Sequence, residues 1–348
     1  MSKLKLGVIF GGMSTEHDVS VLSGYSILKN LNKEKYEIFP IYIDKDGEWY
    51  SIKEMSQEPV IVDDNLEKIN DTFSYLKKCD VVFPILHGKY GEDGTMQGLL
   101  ELLKIPYVGP GVLSSSIAMD KVYSKIIFEK ANIKQAKYVY IRKDSDKYIY
   151  IDDKFNEIKD TIQNICKKIE EKITYPMFVK PSNSGSSVGI NKAKKTEELE
   201  KYIEYASKFD TKILIEETII GKEIECSVLG NEDVKASVLG KITPAEDFYT
   251  YDAKYNNVES KLTIPANISA ELTERVRKTA IKAFKAIDGK GFSRVDFFVN
   301  TENNEIYINE INTLPGFTNI SMYPKLWEYS GLKYSDLLDE LVKLALEA

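Results

Sequence analysis

Gly291-Phe-Ser-Arg294-Val-Asp296-Phe-Phe-Val299 and Glu305-Ile-Tyr-Ile-Asn-Glu310-Ile-Asn312-Thr-Leu-Pro-Gly316 are rich in β-branched and aromatic residues, and each predicts a strand. Arg294 and Asp296 stand two apart, as do Glu310 and Asn312, so each pair lies on one face of its strand. Buried charge is costly unless it is paired or metal-bound. Three oxygen donors and a guanidinium on one sheet point to Mg2+ held beside a phosphate. The turn-rich connection over 300–305 decides whether the pairs share a face. An odd loop, residues 301–305, sets Asp296 opposite Glu310 and Arg294 opposite Asn312, whereas an even loop sends the pairs to opposite faces. We take the odd loop. The alternative is a solvent-facing ladder of ion pairs.

The chain around this hairpin has 348 residues, enough for two or three domains. With 43% hydrophobic and 29% charged residues it has the composition of a globular protein. A net charge of −7 argues against nucleic acid or an anionic membrane as the main partner. Cys79, Cys166 and Cys226 are far apart and form no C-x-x-C pattern, so we expect free thiols in a reducing, cytoplasmic setting. The apolar N-terminal run has no cleavage-site pattern and reads as a first strand, not a signal peptide. No apolar stretch approaches the ~18 residues of a membrane helix. The only histidines are His17 and His87, which disfavours a histidine metal site.

Residues 4–10 predict a buried strand, followed by the Gly11-Gly12 turn and a helix capped by Ser14 or Thr15 and running to about Leu31. Strands at 38–43 and 80–86, the loop 87–94 and a helix to Leu103 complete a parallel α/β sheet. Its ligand site belongs at the C-terminal strand ends, which brings Glu16 and His87 to one crevice. A helix is expected over 114–130, a loop or edge over 142–153 and a helix over 155–172. Next come a strand at 177–181, a loop over 182–189, a strand at 190–193, a helix over 196–208 and a strand at 213–217. From about 218 we expect an α+β unit with a loop over 245–261, a helix over 269–287, the opening hairpin and a last helix from about Ser335. The fold class is thus α/β and α+β, with units at 1–120, 121–217 and 218–348.

Gly11-Gly-Met-Ser-Thr-Glu16 lacks the third glycine of a dinucleotide fingerprint, which argues against a nicotinamide oxidoreductase. Glu16 in the first helical turn would repel pyrophosphate. It either binds a substrate ammonium or merely complements the helix dipole. Lys180-Pro-Ser-Asn-Ser-Gly-Ser-Ser-Val-Gly189 puts a lysine before a Gly/Ser loop whose amides and hydroxyls can cradle phosphate. Because a strand follows it, we read a flexible hairpin lid; an ordinary turn is the alternative. Lys121 offers a second cation. The stretch containing Glu216, Glu217 and Glu223 resembles an edge where adenine meets backbone groups and Glu223 accepts from ribose hydroxyls.

Six motifs occur in order: Phe10-Gly-Gly-Met-Ser-Thr-Glu16, Leu86-His-Gly-Lys-Tyr-Gly-Glu-Asp-Gly94, Met119-Asp-Lys121, Val179-Lys-Pro-Ser-Asn-Ser-Gly-Ser-Ser-Val-Gly189, Phe292-Ser-Arg-Val-Asp296 and Asn309-Glu-Ile-Asn-Thr-Leu-Pro-Gly316. Together, over about residues 4–330, the chain resembles the D-alanine–D-alanine ligase family of the ATP-grasp fold, with an N-terminal pre-ATP-grasp domain. The resemblance implies that ATP phosphorylates one D-alanine and that the amine of a second attacks the acyl phosphate, for peptidoglycan synthesis. It implies Glu16 at the first ammonium, His87 near the substrate carboxylates, and Lys121, Lys180 and Ser186 at the ATP phosphates. Ser186 also links Glu16 to Tyr255 when the site closes. Glu216, Glu217, Ile219 (through its backbone), Glu223 and Lys254 are implied to hold ATP. Asp296, Glu310 and Asn312 are implied to bind two Mg2+, or Mn2+ in their place. Arg294 would stabilise the charged reacting species, and Gly316, Ser321 and Met322 would lie at the second substrate. A homodimer is implied as well. Relatives that use D-lactate tend to carry phenylalanine where this chain has Tyr255, and Ser321-Met322-Tyr323 looks like the D-alanine rather than the D-serine type. A D-alanine–D-serine or D-alanine–D-lactate ligase is the neighbouring alternative.

Overall fold

The computed structural model describes residues 2–54, 56, 58–243 and 261–348. Tyr255, Lys254 and most of the loop expected over 245–261 lie outside the described residues.

Three sheets are present among the described residues. The first is built from β1 (Leu4–Gly11), β2 (Tyr36–Ile43), β3 (Trp49–Ile52), β4 (Leu66–Lys68) and β5 (Val81–Pro84), in the order β4-β3-β2-β1-β5. β1 runs parallel to β2 and β5, but β3 and β4 are antiparallel, so the sheet is mixed and not wholly parallel. The reason is local. Asp44 accepts the Asp46 and Glu48 amides in a turn too short for the crossover that a parallel pair needs. Helices α1 (His17–Asn30), α2 (Thr72–Leu76) and α3 (Thr95–Leu103) accompany this sheet. The N-cap of α1 is Glu16, not Ser14 or Thr15. Ser14 instead accepts the Glu16 amide at 3.1 Å and donates to the His87 carbonyl at 2.6 Å, pinning the first turn to the 87–94 loop.

The single helix expected over 114–130 is two helices, α4 (Val112–Met119) and α5 (Lys121–Lys130), broken at Asp120. Asp120 is extended, and its carboxylate caps α5 through the Val122 and Tyr123 amides. The same carboxylate accepts the Ser182 hydroxyl at 2.6 Å and pairs with Lys212 at 2.5 Å. The second sheet, in the order β10-β9-β11-β6-β7-β8, follows. Its members are β6 (Tyr138–Asp144), β7 (Lys147–Ile151), β8 (Glu157–Asp160), β9 (Met177–Pro181), β10 (Asn191–Ala193) and β11 (Lys212–Glu217), with α6 (Ile162–Glu170) and α7 (Thr196–Ala206) beside it. Residues 142–153 therefore belong largely to a hairpin, and the helix expected from 155 begins only at Ile162. The charges at 142–147 surround the β6–β7 turn and mask the buried run Tyr148–Ile151.

The third sheet, in the order β14-β13-β12-β15-β16, contains β12 (Lys222–Leu229), β13 (Lys235–Thr243), β14 (Lys261–Thr263), β15 (Phe292–Asn300) and β16 (Glu305–Asn312). Helix α8 (Ala270–Ala286), capped by Ser269, covers its apolar face. Helices α9 (Met322–Tyr329) and α10 (Tyr334–Glu347) follow, and α10 packs back on the first sheet. Phe83, Phe292, Phe317 and Tyr323 make an aromatic block with ring centroids 5.2–6.4 Å apart, joining β5 to β15.

Arg294 faces Asn312 and Asp296 faces Glu310, as expected, but the loop parity is wrong. Asn300 pairs with Glu305, which leaves a four-residue turn, and the odd residue is a bulge at Asn309 between the Asp296–Glu310 and Phe297–Ile308 pairs. Burial changes phase there: Ile306 and Ile308 are buried, and Ile311 follows after three residues instead of two.

Asp120 supports a helix cap, a hydroxyl and an ammonium at once. Asp120→Ala should lower the unfolding free energy by roughly 2–3 kcal/mol, and Asp120→Asn, which keeps an acceptor for the cap, by about half of that. Urea titrations followed by circular dichroism check both values.

Candidate active site

Strands of the second and third sheets, with Glu16, His87 and Glu92 from the segments that follow β1 and β5, line one cavity of about 990 Å3. On its floor Glu225, Asp296 and Glu310 form a row across β12, β15 and β16. Like charges so placed repel unless cations intervene. Arg294 supplies one cation, with Nε and Nη2 on the two Asp296 oxygens at 2.8 and 2.7 Å and Nε 3.2 Å from Glu225. Burial alone would lower the arginine's pKa, but Asp296 and then Glu225 outweigh it and hold the guanidinium charged. Asn312 donates to Asp296 at 3.0 Å, and Lys121 Nζ lies 3.8 Å from Glu310. Asp296, Glu310 and the Asn312 amide oxygen are hard donors on one face, a set that fits an oxygen-seeking dication. Among the described residues no group of three or more His, Cys, Asp or Glu side chains is arranged to hold a metal ion.

Opposite the floor, Ser186 of the 182–190 lid donates to Glu16 Oε1. A carboxylate reaching the lid needs room. A Cβ on Gly88 (φ +73°) or on Gly185 would collide with Glu16 Oε2. Ser186 and Ser187 themselves take left-handed backbone angles. Lys121 Nζ donates to the Ser184 carbonyl at 2.7 Å, so a cation from α5 also holds the lid.

His87 is buried with both ring nitrogens engaged. Nδ1 donates to the Leu314 carbonyl at 2.9 Å, and Nε2, also at 2.9 Å, accepts from Ser23, whose oxygen takes the Phe317 amide. Burial foremost lowers the His87 pKa, so the ring is neutral. Its network holds the 313–318 loop against the first sheet. In that loop Gly316 Cα faces the Ser321 hydroxyl, which accepts the Thr318 amide at 2.9 Å; Met322 is buried behind.

At the far end Lys180 on β9 is paired with Glu216 on β11, and Lys125 of α5 is 3.0 Å from the same carboxylate. Burial raises the Glu216 pKa, but the two lysines more than reverse this and bring it down to about 2. Glu217 accepts the Lys137 amide at 2.8 Å; Ile219 and Glu223 line the cavity edge. Three lining residues were missed from sequence. Lys125 follows Lys121 by four and so shares its helix face; Glu225 follows Glu223 by two and so shares its strand face. Glu92, inside the second motif, gave no signal beyond that motif.

The site can hold a polyanion between Lys121, Lys180 and Arg294, with hard donors beside it and a lid above. Residues 5–110 match the family described as D-ala D-ala ligase N-terminus and residues 127–343 the one described as D-ala D-ala ligase C-terminus. The chain is 50% identical to a D-alanine–D-alanine ligase of Clostridium acetobutylicum, over 99% of this chain and 98% of that protein. It resembles the VanG D-Ala:D-Ser ligase of Enterococcus faecalis at 38% identity and TM-score 0.86, covering 99% of this chain and 100% of that one. It also resembles a Bacillus anthracis D-alanine–D-alanine ligase complexed with ATP, at 30% identity and TM-score 0.75, covering 99% and 98%.

The Glu216 pKa lies below its ordinary value of 4.5, so its ion pairs stabilise the fold above pH 4.5 and are lost as pH falls towards 2. The contribution is on the order of 3 kcal/mol. Lys125→Met should flatten this acid limb by a third or more in stability curves between pH 5 and 2.

Proposed function

Because the chain belongs to the D-alanine–D-alanine ligase family, we propose that it joins two D-alanine molecules at the expense of ATP, a step towards peptidoglycan. The observation that carries this reading is the cavity itself, where Glu16, Arg294, Lys121 and Lys180 converge beneath the Ser186 lid. The reading includes three units, at 1–120, 121–217 and 218–348, and a cytoplasmic homodimer. In support of the units, each sheet draws its strands from one of them. No helix among the described residues is long and apolar enough to cross a membrane.

Glu216, Glu217, the Ile219 backbone, Glu223 and Lys254 hold the nucleotide, and Lys121 and Lys180 bind its phosphates. Asp296, Glu310 and Asn312 would hold Mg2+, which supplies charge neutralisation at the transferring phosphoryl group. Glu16 takes the ammonium of the first D-alanine and aims its carboxylate at the γ-phosphate. The carboxylate oxygen attacks phosphorus, ADP leaves, and an acyl phosphate forms. Gly316, Ser321, Met322 and His87 form the wall for the second D-alanine. Its amine attacks the acyl carbon, Arg294 stabilises the oxyanion of the tetrahedral species, and the C–O bond to phosphate breaks to release phosphate and leave the dipeptide. Ser186, with Tyr255, closes the lid and keeps water from the acyl phosphate.

With ATP and Mg2+, D-alanine alone should release ADP and yield D-alanyl-D-alanine. Little release with D-alanine alone and rapid release once D-serine or D-lactate is added would mark the neighbouring specificity instead. Arg294→Ala should lower kcat by roughly 10²–10³ in the same coupled assay; a loss below about threefold would remove Arg294 from the reaction.

A further inference from the structure

If the proposed ligation holds, its second step needs a proton acceptor, and most of the acids and the histidine assigned above are already engaged. The second D-alanine arrives as an ammonium, and its nitrogen loses two protons in becoming an amide. The departing phosphate takes one, and a base must take the other. Glu16 serves the first ammonium and Ser186. His87 has one ring nitrogen donating to Leu314 and the other occupied by Ser23. Asp296 and Glu225 hold Arg294, and Glu216 lies between two lysines.

Glu92 lines the same cavity on the 87–94 loop. Its Oε2 accepts the Gly88 amide at 2.8 Å, and a Cβ on Gly88 would meet the Glu16 carboxylate, so the two acids flank one glycine. The Leu314 amide lies near enough to Glu92 to lower its pKa, which brings the wall for the second substrate close to it. We propose that Glu92 is the base that accepts the proton from the attacking amine. The ammonium gives its proton to the Glu92 carboxylate. The neutral amine then forms the C–N bond, the C–O bond to phosphate breaks, and the nitrogen's second proton leaves on hydrogen phosphate.

The surroundings match that task. Burial foremost, then Glu16, push the carboxyl up to about 8, against the Gly88 and Leu314 amides and Arg294, while neutral His87 adds no charge. Binding of the first ammonium to Glu16 removes the second of these causes and favours the basic carboxylate as the amine arrives.

The experiment compares two nucleophiles on the acyl phosphate, D-alanine and hydroxylamine; the latter is already uncharged at neutral pH and needs no base. Glu92→Gln should slow dipeptide formation by roughly 10²–10⁴ and D-alanyl hydroxamate formation by less than about threefold. Glu92→Asp should recover at least about tenfold of the dipeptide rate, and the acidic limb of the wild-type kcat profile should vanish in Glu92→Gln. Equal losses with both nucleophiles, a dipeptide loss below about threefold, or no recovery by aspartate would each overturn the proposal. A wild-type protein that makes hydroxamate but no dipeptide would strike the ligation reading rather than Glu92.

Discussion

Arg294 is the constraint around which the site is arranged. Three carboxylates stand in a row on adjacent strands, and one guanidinium binds two of them with its planar fork. Without a cation there, the row would be a repulsive strip in the middle of a sheet. A lysine could not replace it, because a point charge does not span both Asp296 oxygens and Glu225. The same geometry that makes β15 tolerable between β12 and β16 aims the guanidinium and the hard oxygen donors into one cavity.

How β15 is held relative to the rest follows from packing. Phe292, two residues before Arg294, meets Phe317 edge to face and Tyr323 at a tilt, and reaches Phe83 on the first sheet. His87 reinforces the junction through Leu314. Dry aromatic contacts and one neutral histidine thus set the distance between the Glu16 turn and the Arg294 strand.

Much of this was legible in the chain. The hairpin, the lid and the Glu16 turn announce themselves because polar residues interrupt otherwise apolar runs at fixed spacing. The facing of Arg294 and Asn312 was read correctly for the wrong reason. The odd residue sits in a bulge at Asn309 and not in the loop, and the three-residue step from Ile308 to Ile311 carried that signal. The break at Asp120 was hidden because both flanks continue a helical pattern, and the Ser182 and Lys212 bonds that hold the capping carboxylate in place come from far away in sequence. Glu92 was invisible for the same kind of reason: its neighbours Glu16, Leu314 and Arg294 come from three distant segments, and burial is a property of the folded site.

The two sides of the cavity are fastened by different forces. On the β5–β15 side, rings with centroids 5.2–6.4 Å apart make a joint insensitive to charge or salt. The 182–190 loop is fastened by Ser186 to Glu16, Lys121 to Ser184 and Asp120 to Ser182, all polar bonds. One wall of the cavity is thus joined by ring packing that salt does not weaken, and the 182–190 loop opposite is joined by polar bonds that screening and competing polar groups can weaken.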